Sequence, residues 1–151
     1  MTALPLPDFD KPVKLLLVVA GDLPALSDAA IATLDATGVG FERIDMPSLT
    51  EVPSAIAIAA RLSNFDGYIA LGETRGVEIA QSLQMLGLQG LCIGQGIVAA
   101  GANDAELAQK GTMATAAALH LVATSRKWGR PDQGIGFTSE ILLAQGGKTT
   151  A

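Results

Sequence analysis

The chain has 151 residues, 49% hydrophobic but only 4% aromatic, with 17% charged and a net charge of −5. That length suits one domain with a full aliphatic core, and the acidic balance excludes nucleic-acid binding driven by a basic footprint. A single cysteine excludes an internal disulfide, and no apolar run is long enough to span a membrane.

The mean hydropathy is +0.39, high for a chain with so few aromatic residues. An excess of apolar surface of this kind is readily buried against copies of the same chain, so a homo-oligomer is expected. The opening "MTALPLPDFDKP" has no cationic stretch followed by an apolar core. It does not read as a signal peptide, and a cytoplasmic protein is expected.

From residue 13 onward the pattern alternates. "VKLLLVVAG", Val13 to Gly21, is a continuous apolar run stopped by glycine, the mark of a parallel strand covered on both faces. The segment "DLPALSDAAIATLDATG" predicts a helix with Pro24 in its first turn, a stripe of Leu26, Ala29/Ala30, Thr33 and Leu34, and Gly38 as its stop. "FERIDMP" reads as a second strand, more edge-like than the first. In "EVPSAIAIAARLSNF" the spacing of Ile56, Ala59/Ala60 and Leu62 predicts a second helix, with Pro53 tolerated near its start.

"DGYIALG" is a third apolar strand, and "VEIAQSLQMLG" a short helix stopped by Gly87. "GLCIGQGI" is a fourth strand, within which Cys92 reads as a small buried hydrophobe. A long Ala-rich helix follows from Asn103 to Gly129, with Arg126 and Lys127 where the helix dipole favours cations. Repeated strand and helix predict a parallel sheet with helices on both faces. Residues 1–12 read as an arm that is either extended or loosely attached. Residues 130–151 read as a tail whose "GFTSEILLA" is either an added strand or an arm on a neighbour. The whole chain, 1–151, is read as one domain.

Parallel sheets bind ligands beyond the C-terminal ends of their strands. Four loops qualify: Gly21–Pro24, Pro47–Pro53, Gly72–Gly76 and Gly94–Val98. "GQGIVA" fits a dinucleotide fingerprint, but it follows the fourth strand and lacks a later acidic partner, so a glycine-rich turn is the better reading. His120 sits between Leu119 and Leu121 and reads as a packed or interface histidine. One His and one Cys, far apart, make no metal shell. Glu51 opens a helix between two prolines, either as a dipole-favoured carboxylate or as an acceptor for a polyol. Glu73, Thr74 and Arg75 form either an exposed turn or, with the N–H groups opening the next helix, an anion cradle.

These loops, in this order, resemble the 6,7-dimethyl-8-ribityllumazine synthase family. "MPSLTEVPSAIAIAARLSNFDGYIALGETRG" is similar to the family's P-G-[AS]-x-E-[IL]-P, its following helix, its A-L-G strand and its R-G turn. "AQKGTMATAAALHLVATSRKWG" is similar to its N-K-G segment and final helix. The resemblance covers about residues 13 to 129 and rests on Pro47, Glu51, Pro53, Leu71, Gly72, Arg75, Gly76, Lys110 and Gly111.

It implies a flavodoxin-like three-layer α/β/α sandwich with a four-stranded parallel sheet, assembled as a pentamer or a multiple of one with sites between subunits. It implies condensation of 5-amino-6-(D-ribitylamino)uracil with 3,4-dihydroxy-2-butanone 4-phosphate, without a cofactor or metal. Glu51, with Leu49 and Thr50 beside it, would bind the ribityl chain or the pyrimidine. Glu73, Thr74, Arg75 and Gly76 would meet the phosphate-bearing substrate, and Lys110 the uracil.

Three positions depart from the family pattern. Asp22 or Leu23 stands where an aromatic ring stacks on the pyrimidine. Ala80 stands near the position of the proton-shuttling histidine, and "NDAELAQ" lacks the arginine before K-G. No residue is therefore assigned as catalytic, and two readings stay open: a divergent synthase working by proximity, or a non-catalytic homo-oligomeric paralogue that binds a flavin-like or other small ligand.

Overall fold

A computed structural model of the chain describes residues 4–74 and 76–129. The N-terminal residues 1–3, Arg75 and the whole 130–151 tail, including "GFTSEILLA", lie outside the described residues. The elements alternate: β1 (Lys14–Ala20), α1 (Pro24–Thr37), β2 (Gly40–Met46), a 3-10 turn (Leu49–Glu51), α2 (Val52–Leu62), β3 (Gly67–Thr74), α3 (Glu78–Gly87), β4 (Ile93–Ala99) and α4 (Asp104–Trp128). The four strands form one parallel sheet in the order β2-β1-β3-β4.

β1 shows why an unbroken apolar run is needed. Leu15, Leu17 and Val19 join a core with α1 and α4, while Leu16, Val18 and Ala20 join a second core with α2 and α3. Every residue from Leu15 to Val19 is at most 2% exposed, because both faces of the strand are covered. β2 lies at an edge, as its mixed pattern predicts. Phe41 packs toward one core, and Ile44 and Met46 toward the other.

The helix boundaries follow local chemistry. Pro24 opens α1, and Gly38 closes it at φ +73°, sending its N–H back to Leu34 and Asp35 carbonyls. α4 starts with a capping box in which Asn103 accepts from Glu106 N–H and Glu106 accepts from Asn103 N–H. In α2 the buried stripe is Val52, Ile56 and Ala59. Leu62, expected on that stripe, is instead 80% exposed: six residues beyond Ile56, it has turned away from the core.

Glycine sets how closely α4 lies on the sheet. A Cβ at Gly94 would run into the Ala114 carbonyl oxygen, and one at Gly111 into the Leu26 carbonyl oxygen. α4 is thus seated backbone-to-backbone between β4 and α1. This corrects the reading of "GQGIVA" as a turn: Gly94 to Ala99 lies inside β4, where glycine makes room for the helix.

The described end of the N-terminal arm is held to α4. Arg126 donates to the Lys11 and Pro12 carbonyls at 2.8 and 2.7 Å, lies over the Phe9 ring, and meets Asp66 Oδ2 at 3.5 Å. No described helix is long and apolar enough to cross a membrane.

Candidate functional site

α1 leaves β1 toward one face of the sheet and α2 returns across the other. The crossovers therefore diverge between β1 and β3, where such sheets leave a crevice at the strand ends. The register fixes what meets there. Val19 pairs with Leu71, so Ala20 comes level with Gly72. A Cβ on Gly72 would strike the Leu49 side chain and touch Ala20. Leu49, 8% exposed, thus pins the 3-10 turn against the ends of β1 and β3. Three of the four loops named from the sequence converge at this point: Gly21–Pro24, Pro47–Pro53 and Gly72–Gly76.

Glu51 is held by its own turn. Its Oε1 accepts from Ser48 N–H at 3.0 Å and Ser48 Oγ at 2.6 Å, while Ser48 Oγ accepts from Thr50 N–H at 3.3 Å. This capping box fixes the carboxylate at the exposed opening of α2 and leaves Oε2 without a hydrogen bond among the described residues. Such an oxygen suits a ligand hydroxyl. Asp22 and Thr50 are exposed and Leu23 is half-buried at the same end of the sheet.

The segment after Leu71 differs from the turn expected for it. β3 runs on through Gly72 and Glu73 to Thr74, paired with Ile97, Val98 and Ala99. An apolar run cannot reveal this extension, since Glu73 is exposed while its backbone still belongs to the ladder. Beyond Thr74, the described part of the turn takes up two of its N–H groups from within. Thr74 Oγ1 accepts from Gly76 N–H and donates to Gly76 O, both at 3.1 Å. Val77 N–H is taken at 3.1 Å by Glu78 Oε2. Arg75, the cation proposed for this turn, lies outside the described residues.

Lys110 is exposed on α4, which packs on the opposite face of the sheet from the Leu49–Glu51 turn. Within one chain the structure does not bring Lys110 to Glu51. Ala80 is half-buried in the first turn of α3. His120 is half-buried in α4, and its Nε2 is buried with no hydrogen-bond partner among the described residues. Among those residues no group of three His, Cys, Asp or Glu side chains could hold a metal ion.

Away from this end, a depression of about 410 Å³ lies beside β4 and is lined by apolar residues including Leu83, Leu88, Leu91 and Leu121. It touches the start of β4 and the end of α3, and contains none of the candidate residues. Near the same end Cys92 is 5% exposed, as a buried hydrophobe should be.

A parallel sheet covered on both faces, with polar loops gathered where its crossovers diverge, defines a flavodoxin-like α/β protein. No protein-family model matches the chain. Among curated proteins it is 44% identical to the 6,7-dimethyl-8-ribityllumazine synthase of Jannaschia sp. (strain CCS1), over 87% of this chain and 86% of that protein. It is 36% identical to the protein of the same name from Sphingopyxis alaskensis, over 69% and 86% of the two chains. With that from Novosphingobium aromaticivorans it shares 33% identity over 76% and 98%. The chain belongs to the 6,7-dimethyl-8-ribityllumazine synthase family.

Proposed function

We propose that this protein condenses 5-amino-6-(D-ribitylamino)uracil with 3,4-dihydroxy-2-butanone 4-phosphate, phosphate leaving and the ring closing through an imine. The observation that carries this reading is the junction of Ala20, Leu49 and Gly72, which gathers three loops and the oriented Glu51 carboxylate at one end of the sheet. Glu51 Oε2 accepts from ribityl hydroxyls, and the Glu73–Gly76 segment faces the phosphate-bearing partner. Lys110, on the far face of its own sheet, contributes to the site of a neighbouring chain.

Catalysis here rests on holding two reactive molecules together. Orientation lowers a barrier by up to about 7–11 kcal/mol when the geometry is good. A missing general acid/base, by comparison, typically costs about 10²–10⁴-fold. A slow synthase is therefore the expected result.

The test is lumazine formation by the purified protein with both substrates, measured against the uncatalysed condensation. Glu51→Gln retains an acceptor for the Ser48 cap while removing the charge, so it should slow turnover with little loss of stability. Glu51→Ala should do both, lowering stability by about 1 kcal/mol through the lost cap. No acceleration over background, together with binding of riboflavin or the ribitylated uracil, would identify a non-catalytic ligand-binding paralogue instead.

The assembly we propose is a pentamer or a multiple of one. Support comes from large apolar side chains left outside, among them Leu62 at 80% exposure, Leu88 at 88% and Trp128 at 76%, surface that contact between chains would bury.

A further inference from the structure

Among the described residues, the hydrogen bonds of the Glu51 carboxylate all run to Ser48. The turn is closed on itself in the same way, Glu51 N–H donating to the Ser48 carbonyl at 3.3 Å and Val52 N–H to the Leu49 carbonyl. Such bonds orient the carboxylate relative to its own turn, and not relative to the sheet. Ser48, Thr50 and Glu51 are exposed, so within the turn only the Leu49 side chain reaches inward. A Cβ on Gly72 would stand 2.7 Å from Leu49 Cδ1, yet 3.4 Å from Ala20 Cβ and 3.5 Å from the Ala20 carbonyl oxygen, both ordinary contacts. Gly72 has no positive φ. Its bare Cα serves the room it leaves for Leu49, not the backbone of β3.

We propose that Leu49 is a positioning residue. Seated on Gly72, its side chain sets how far the Glu51 carboxylate stands from the strand ends. It thereby sets the preference of the site for a pyrimidine bearing a polyol chain over the same ring without one. This rests on the proposed reaction, in which Glu51 accepts from ribityl hydroxyls. Hydrogen bonds weaken steeply with distance and angle, so lifting the turn by about 1 Å is enough to lose them. Contacts made to the ring alone are left in place.

Calorimetric titration compares 5-amino-6-(D-ribitylamino)uracil with 5,6-diaminouracil, which lacks the ribityl chain, and the ratio of their Kd values is the readout. The proteins are the wild type, Glu51→Gln, Leu49→Ala, Gly72→Ala and the double variant Leu49→Ala, Gly72→Ala, each kept below its thermal unfolding. The wild type should prefer the ribitylated ring by about tenfold or more, the scale of a hydrogen bond to a charged group. Glu51→Gln should lose most of that preference. Leu49→Ala and Gly72→Ala should each lower it by about fivefold, one by removing the wedge and the other by displacing it. In the double variant the methyl added at position 72 has no wedge to strike, so the preference should be no lower than in Leu49→Ala alone. Kd for 5,6-diaminouracil should move by less than about twofold throughout, which a general loss of structure would not allow. Leu49→Val should fall between the wild type and Leu49→Ala, and it carries the comparison if Gly72→Ala does not fold.

A preference lost in Glu51→Gln but kept in the Leu49 and Gly72 variants, or losses that add in the double variant, would overturn the proposal and leave the role of Glu51 standing. A wild type that binds both rings alike, or a Glu51→Gln that keeps the preference, would overturn the role given to Glu51 and the positioning role with it.

Discussion

Cys92 immediately precedes β4 and neighbours Tyr68 of β3, whose N–H donates to the Cys92 carbonyl at 2.8 Å. Burial pushes the Cys92 thiol from its ordinary 9.0 up to about 11, with the charge of Asp66 adding to the effect. Burial likewise raises the Tyr68 hydroxyl from 10.0 to about 12, helped by Cys92 and then Asp66. Both groups favour the neutral form in the folded chain, so the sign of the linkage is set. Below pH 9 neither group opposes folding. As pH rises from 9 towards 11, the unfolded chain releases the Cys92 proton that the folded chain keeps, and stability falls. Denaturation midpoints measured from about pH 8 to about pH 11 should decline. The decline should be shallower in Cys92→Ala, and shallower above pH 10 in Tyr68→Phe. A profile identical in all three proteins would contradict it. In the native protein the same thiol should resist modification at neutral pH and react on unfolding.

At the scale of elements, the glycines that seat α4 make opposite predictions from those that do not. Gly94→Ala forces a methyl into the Ala114 carbonyl, and an overpacked core loses about 1–3 kcal/mol or more. Gly87 ends α3, and a methyl added there would have nothing within 4 Å of it. Gly87→Ala should therefore gain about 0.5–1 kcal/mol, since alanine restricts the unfolded chain and suits a helix. Thermal unfolding of the two variants checks both signs.

The same elements show what sequence can reveal. β1, α1 and α4 are legible because apolar spacing, Pro24, Gly38 and the late cations each state one local preference that the fold keeps. The end of β3 and the glycines of β4 are not legible, because there the deciding partner is distant: Ala99 for Thr74, and Ala114 for Gly94. The candidate site divides similarly. Glu51 stands out between its prolines, whereas its Ser48 partner is visible only as the start of a capping box.

At the scale of the whole molecule, part of the exterior is apolar. Met85 and Leu88 project from the end of α3 at 66% and 88% exposure, and Leu121 lines the adjoining depression. If this face joins subunits, the wild-type protein should have a solution mass of several chains. The double variant Met85→Lys, Leu88→Lys should then shift toward the mass of one chain, because buried lysines at an interface lack partners. Light scattering or native mass spectrometry reads both. A wild type with the mass of a single chain would remove the case for a shared cavity, and with it the role given to Lys110.

The two-sided burial of β1 has a consequence for which changes this chain can tolerate. Swapping Leu16 for Ile or Met exchanges one aliphatic shape for another, and such replacements usually cost less than about 1.5 kcal/mol. Deleting one residue between Lys14 and Ala20 is a different kind of event, for it inverts every later side chain of the strand, sending each to the wrong interior. The spelling of β1 can drift, but its letter count cannot.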